Sequence, residues 1–230
     1  MSFKETLLGG AFLPESIWRA NRGCAMDAGF ICPQAFGRNT YSDKTVGPII
    51  WDARYQSGSD ITTFKWLKSI GFNPGHPNVM LGKRCIELAT LTKSYMTTIR
   101  PVIGQWEVMY SMWKENPDWY EKQQANLVAI WPPYQSYLGT RDMLRAIEQV
   151  ALTRGLKDPL IVAHPEHLPR CFFLARKIFG AQSVAIDGGT IADEEWFDRH
   201  STQWQTRSAC AWLLYELFIA RPPHLLLRWI

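Results

Sequence analysis

Short apolar runs alternate with longer segments of helical periodicity through the second half of the chain. The runs are typical of buried parallel strands, because each is continuous and ends at a polar residue, glycine or proline. They are Arg100–Gly104, Asn126–Trp131, Leu160–Ala163 and Ser183–Asp187. The helical segments between and after them end near Lys114, cover Arg141–Arg154, begin at Leu168, and cover Gln205–Ala220. Right-handed crossovers then predict a mostly parallel sheet with helices on both faces.

The first half of the chain is less regular. Val46–Asp52 is the first strand candidate and brings the predicted sheet to about five strands. Residues 1–45 show no clear period and are predicted to form an irregular, aromatic-rich arm or lid. Residues 55–82 are expected to form a lid insertion with a short helix, although a surface insertion without a role fits equally well. The prediction is one α/β domain over 1–230, a Rossmann-like three-layer sandwich with its core at 100–220.

Composition narrows the class of protein. The 230 residues are 47% hydrophobic and carry a net charge of +4 without a run of Lys and Arg, so nucleic acid is not an expected partner. Five scattered cysteines with no CxxC pair favour a reducing, cytoplasmic setting. Gly9, Gly10 and Pro14 interrupt the N-terminal apolar patch, so no membrane association is expected. The eleven tryptophans fit either core packing or an aromatic-lined pocket, and a homo-oligomer is left open.

Polar residues follow the predicted strands where each strand ends. Because ligands of open α/β sheets bind at the carboxyl ends of the strands, these residues are the candidate site. The proposed catalytic residues are His164 and His167. The proposed ligand-binding residues are Asp52, Arg54, Gln105, Trp106, Glu107, Tyr134, Gln135, Ser136, Thr140, Arg141, Arg170 and Asp187.

Several of these residues have two interpretations. His164 and His167 suit acid–base chemistry near neutral pH, or they stabilise a turn. A metal would need a further ligand such as Asp187, and no metal is expected. Arg170, in the first turn of a helix, is either an anion clamp or the partner of Glu166.

Two further residues also have two interpretations each. Trp106 either stacks on a ligand ring or is buried, and Thr140 either contacts a ligand or caps its helix. No GxGxxG, P-loop or GxSxG motif is present.

The segment IVAHPEHLPRCFFLARKIFG resembles the bacterial SanA/ElyC/YdcF family. In that family a strand leads into a turn of the form H-x-x-H-x-x-R and then a helix, and here the matching residues are His164, His167 and Arg170. Ser136 and Thr140 correspond to the family's polar turn, and Glu107 corresponds to its glutamate. Gly104, Gln105 and Trp106 stand where family members usually have Ser-Gly-Gly.

The resemblance covers about residues 100–220. It implies a Rossmann-like domain with a polar pocket at the carboxyl edge of the sheet. One member of the family is described as an S-adenosylmethionine binder, and others are linked to the cell envelope through a membrane anchor. No such anchor is expected here.

The leading functional hypothesis is a cytoplasmic enzyme, a transferase or hydrolase, acting on a small polar or anionic metabolite. The ligand can contain a nucleoside, and S-adenosylmethionine is the cofactor that the resemblance implies. Two alternatives stay open: a non-catalytic small-molecule binder or sensor, and a protein-interaction module with a tryptophan-rich surface.

Overall fold

The protein contains a parallel sheet with the strand order β3-β2-β1-β4-β5. The computed structural model describes residues 28–36, 60–91, 99–132, 139–164, 166–180, 185–186, 197–201 and 203–215. The strands are β1 (Phe30–Gln34), β2 (Val102–Gln105), β3 (Leu127–Ile130), β4 (Pro159–Ala163) and a two-residue β5 (Ala185–Ile186). All four strand pairs are parallel. The predicted parallel, Rossmann-like α/β architecture is therefore confirmed.

The expected set of five strands is not confirmed as such. Val46–Asp52, the first predicted strand, lies outside the described residues. The strand at the centre of the sheet is instead Phe30–Gln34, within the segment predicted to be irregular, so that prediction is wrong for these residues. Proline cannot donate to a strand ladder, and Pro33 therefore argued against a central strand in the sequence.

Pro33 is accommodated next to a glycine on the neighbouring strand. A Cβ atom added to Gly104 of β2 would lie 2.2 Å from Cγ of Pro33. The proline ring thus occupies the space that a side chain at position 104 would need. On its other side β1 pairs with β4 along its whole length, from Phe30 opposite Pro159 to Gln34 opposite Ala163.

Helices cover both faces of the sheet. The α-helices of the described ranges are α1 (Asp60–Ser69), α2 (His76–Thr90), α3 (Trp106–Glu115), α4 (Pro117–Gln123), α5 (Thr140–Thr153), α6 (Leu168–Phe179) and α7 (Ala209–Tyr215). Helices α1 to α4 share one hydrophobic core with one face of the strands. Helices α5 and α6 share a second core with the other face.

The change of face marks the position where a ligand is expected. From β1 to β3 the chain moves outward in one direction, and after β3 it returns across the opposite face to β4. The direction of winding therefore reverses between β1 and β4. In doubly wound sheets this reversal opens a crevice at the carboxyl ends of the two strands.

Residues 60–82 belong to the core, whereas the sequence predicted a lid over 55–82. Phe64 and Leu67 of α1 are fully buried, and Leu81 of α2 is nearly so. The predicted short helix is present as α1, but it packs under the sheet as part of the crossover from β1 to β2.

The same core contains a stacked pair of tryptophans. The indole rings of Trp106 and Trp131 lie 4.9 Å apart with an interplanar angle of 8°. Trp131 donates from Nε1 to Oδ1 of Asp60 at 2.8 Å. Phe64 and Phe72 pack around this pair. For these two tryptophans, core packing is the interpretation that the structure bears out.

Candidate functional site

The carboxyl ends of β1 and β4 leave the sheet side by side. Gln34 of β1 pairs with Ala163 of β4 in the last register position of the two strands. The next residues, Ala35 and Phe36 on one strand and His164 on the other, therefore emerge together at the point where the winding reverses.

Side chains already satisfy the backbone amides that follow β1. The N–H of Ala35 donates to Oε1 of Gln105 at 2.8 Å, and the N–H of Phe36 donates to Oδ1 of Asn78 at 2.9 Å. Asn78 is itself held by a 2.7 Å hydrogen bond from its Nδ2 to the carbonyl of Pro74. In a dinucleotide-binding turn such amides point at a pyrophosphate. In this protein the amides of Ala35 and Phe36 are instead hydrogen-bonded to side chains of the protein itself.

His164 is fully buried between aromatic rings. Its ring stacks on Phe36 with centroids 3.7 Å apart and an angle of 10°, and the edge of Phe197 lies 4.8 Å away. Its Nδ1 accepts a hydrogen bond from the backbone N–H of Glu166 at 3.2 Å. A neutral His164 therefore has its proton on Nε2.

His167 lies at the turn that starts α6. Its backbone N–H and that of Leu168 donate to the carbonyl of His164 at 2.8 and 2.9 Å, which fixes the turn. Nε2 of His167 is 3.4 Å from Oγ1 of Thr140, the first residue of α5. This long hydrogen bond joins the starts of the two helices that cover this face.

The charge state of His167 follows from its surroundings. Burial lowers the pKa of His167 well below its usual value, and the positive charge of Arg170 and the neighbouring His164 lower it further. A protonated imidazole is disfavoured away from water and beside a guanidinium. His167 is therefore a neutral base at neutral pH.

Arg170 lies in the first turn of α6 and is half-buried. Its Cζ is 5.7 Å from the centre of the Tyr215 ring on α7. The same guanidinium acts on the pKa of His167, so a fixed positive charge lies next to the neutral histidine.

Gln34 is a polar residue that the sequence analysis did not select. Its side chain is fully buried at the end of the apolar strand β1. Nε2 donates to the carbonyl of Pro33 at 3.2 Å and lies 3.5 Å from Sγ of Cys32. Burial raises the pKa of the Cys32 thiol to about 12, so this cysteine is not a nucleophile at neutral pH.

The remaining candidate residues have different surroundings. Trp106 is buried against Trp131 and Phe72, so a ligand ring would have to displace one of them. Glu107 is buried in the first turn of α3, and its carbonyl accepts a hydrogen bond from Ser111 Oγ. Arg141 is exposed. Outside the described residues lie Asp52, Arg54, Tyr134, Gln135, Ser136 and Asp187.

Thr140 does not cap helix α5, which was one of the two interpretations of this residue. Gly139 is the N-cap residue, and Thr140 is the first helical residue. Among the described residues no side chain caps the helix, and the Thr140 hydroxyl meets His167 instead.

Two hydrogen bonds involve residues of the predicted polar turns, and one of them joins two of these turns. Gln105 reaches the end of β1, and Thr140 reaches His167. The link between these hydrogen bonds is Phe36, whose backbone follows Ala35 and whose ring stacks on His164. Sequence reasoning missed Gln34, Phe36 and Asn78 because β1 itself was missed. A polar glutamine at the end of the apolar run FICPQ was the available signal.

Comparison with protein-family models, curated proteins and solved structures finds no match to this chain. Within the described ranges, no helix is long and apolar enough to cross a membrane. Among the same residues, no group of three or more His, Cys, Asp and Glu is arranged to hold a metal ion.

Proposed function

We propose that this protein is an enzyme that binds a small polar or anionic metabolite at the carboxyl ends of β1 and β4. The observation that carries the proposal is the pair of buried histidines at the reversal of winding, one of them beside a fixed positive charge. Ligands of doubly wound sheets bind at this position. Titratable groups in such a crevice, with environments that shift their pKa values, are candidates for acid–base chemistry.

The two histidines have different proposed roles. His167 is neutral and accepts a proton either from a hydroxyl group of the ligand or from a water molecule beside it. His164 is held by Phe36 and by the amide of Glu166, with its proton on Nε2, and orients the ligand by donating a hydrogen bond from Nε2. His167 later returns the proton that it accepted. Arg170 supplies the positive charge that binds the ligand's carboxylate or phosphate.

The resemblance of His164, His167 and Arg170 to the SanA/ElyC/YdcF family extends the proposal to a nucleoside-containing ligand. S-adenosylmethionine is the compound that this resemblance implies, and a transferase or hydrolase is the class of enzyme. The amides of Ala35 and Phe36 are already hydrogen-bonded, which favours a ligand recognised by side chains over a dinucleotide held by its pyrophosphate.

A thermal-shift screen against nucleosides, S-adenosylmethionine, sugar phosphates and hydroxy acids tests binding, because a ligand of the folded state raises the melting temperature. Turnover of a compound that binds is then measured in His164→Ala and His167→Ala variants. Both variants should lose turnover while their affinity stays within about tenfold of the original. Full turnover in both would refute the catalytic part of the proposal.

A non-catalytic binder is the second candidate, and one observation favours it. His164 has its ring face on Phe36 and is fully buried, so proton exchange through His164 requires movement of that stack. If a compound binds tightly and is recovered unchanged after long incubation, the protein is a non-catalytic binder and the enzyme proposal fails.

A further inference from the structure

Gln34 is a buried polar side chain on a defined face of the sheet. Side chains alternate along a strand, so Gln34 faces the same way as Phe30 and Cys32. Those two residues belong to the core beneath α5 and α6. The 3.5 Å contact between Nε2 of Gln34 and Sγ of Cys32 agrees with this assignment.

The amide of Gln34 has a fixed orientation. Its Nε2 donates to the carbonyl of Pro33, and the opposite orientation would bring two oxygens together. Oε1 is buried and has no hydrogen-bond partner among the residues that the structure describes. A buried acceptor without a partner is destabilising, and such groups are often explained by a ligand or a role in the site.

The position of Gln34 connects it with the proposed site. It pairs with Ala163, the residue before His164, at the carboxyl end of the sheet. On the same face α5 and α6 begin, and there Thr140 and His167 meet. An acceptor without charge thus lies at the edge where the neutral His167 and the cationic Arg170 are found.

We propose that Gln34 is a specificity-determining residue that accepts a hydrogen bond from a hydroxyl group of an anionic metabolite. This inference rests on the function proposed above and names its ligand class: a hydroxy acid or a sugar phosphate. A carboxylate at position 34 would repel such an anion, whereas the amide oxygen accepts from a hydroxyl without adding charge. An analogue without the hydroxyl leaves the amide unpaired and is rejected.

Matched pairs of probes test the proposal in thermal-shift and calorimetric titrations. The pairs are malate with succinate, and ribose 5-phosphate with 2-deoxyribose 5-phosphate. The protein should bind the hydroxylated member of at least one pair more than about tenfold tighter. Gln34→Met should remove this preference while the melting temperature without ligand stays the same or rises. Gln149→Met, an exposed substitution on α5, is the control and should keep the preference.

The other possible results contradict either the proposed function or the role of Gln34. If no anionic probe binds the unaltered protein, the proposed function fails, and this inference fails with it. If both members of every pair that binds do so equally, or if Gln34→Met keeps the preference, Gln34 does not determine specificity although the anion site stands. If Gln34→Met lowers the melting temperature strongly and keeps its affinity for the probes, the side chain is structural and the proposal is overturned.

Discussion

Two aromatic stacks of similar geometry lie in different parts of this protein. Trp106 and Trp131 stack at 4.9 Å and 8° under the helices α1 to α4, and Phe36 and His164 stack at 3.7 Å and 10° at the carboxyl edge of the sheet. The tryptophan stack is surrounded by further aromatic rings, and Trp131 donates a hydrogen bond to Asp60. The second stack contains a titratable ring.

The difference between the two stacks distinguishes core packing from a candidate ligand site. Buried aromatic rings stabilise a core wherever they lie, and the tryptophan stack does so. A ring that can exchange a proton, at the edge where parallel strands end and beside a neutral histidine and an arginine, is arranged for a ligand. Substitutions in the first stack should therefore change stability, and substitutions in the second should change binding.

The largest effect is expected from Trp131→Ala. The substitution removes the stack on Trp106 and the hydrogen bond to Asp60, and should lower the free energy of unfolding by about 3–5 kcal/mol. Urea denaturation measures it. Trp204→Ala, where the ring is 47% exposed, is the control and should cost about 1 kcal/mol or less. Equal losses in the two variants would contradict the role of the tryptophan stack.

Gly104→Ala tests the packing between β2, which leads to Trp106, and β1, which leads to Phe36. The added methyl group would lie 2.2 Å from Cγ of Pro33, so the loss of unfolding free energy should be about 1–3 kcal/mol. The double variant with Pro33→Ala should recover part of this loss, and a double-variant cycle measures the coupling. Gly139→Ala is the spatial control, because its nearest neighbour among the described residues would be Oδ2 of Asp142 at 3.8 Å. Additive losses would show that Pro33 and Gly104 are independent.

The pH dependence of stability tests His167, the histidine beside the second stack. The pKa of His167 is lowered in the folded protein, so the unfolded chain binds a proton first as the pH falls below about 6.5. This residue's part of the stability is intact above that pH and is lost as the pH falls toward the lowered pKa. Between about pH 7.5 and pH 5.5 the loss should be on the order of 1 kcal/mol.

Other groups also titrate in that range, so the measurement is a difference between proteins. His167→Gln should lose less stability than the unaltered protein over the same pH interval, by an amount on the order of 1 kcal/mol. His200→Gln, at an exposed position, should lose as much as the unaltered protein. Parallel curves for His167→Gln and the unaltered protein would show that His167 is not held neutral by burial.

The smallest effect on stability is expected from Phe36→Leu. The substitution keeps an apolar side chain but removes the stack on His164, at a cost of about 0.5–1.5 kcal/mol. The affinity for any compound found in the screen should fall by more than this stability change implies, because His164 loses its fixed orientation. An unchanged affinity would separate the stack from the site.

The sequence was sufficient to predict the parts of the fold that follow simple patterns. The helix stripes of Thr140–Thr153 and Leu168–Phe179 and the strands Leu127–Ile130 and Pro159–Ala163 lie close to their predicted positions. Gly155, with φ at 66°, follows the end of the first of these helices, because glycine adopts this conformation without strain.

The central strand was beyond these patterns for a physical reason. Pro33 is acceptable in β1 only because Gly104 leaves room for its ring, and that compensation is far away in the sequence. The candidate site was also predicted only in part. The sequence predicts the strands that precede His164, His167, Thr140 and Arg170. It does not predict β1, on which the identification of Gln34, Phe36 and Asn78 depends.

The most direct test of the ligand site is an NMR titration that observes the imidazole and indole groups together. The protein has five histidines, so His164 and His167 can be assigned by single substitutions. Addition of a compound identified by thermal shift should move the signals of His164 and His167 and leave the indole N–H signals of Trp106 and Trp131 in place. Movement of the indole signals with unchanged histidine signals would contradict a site at the carboxyl ends of β1 and β4.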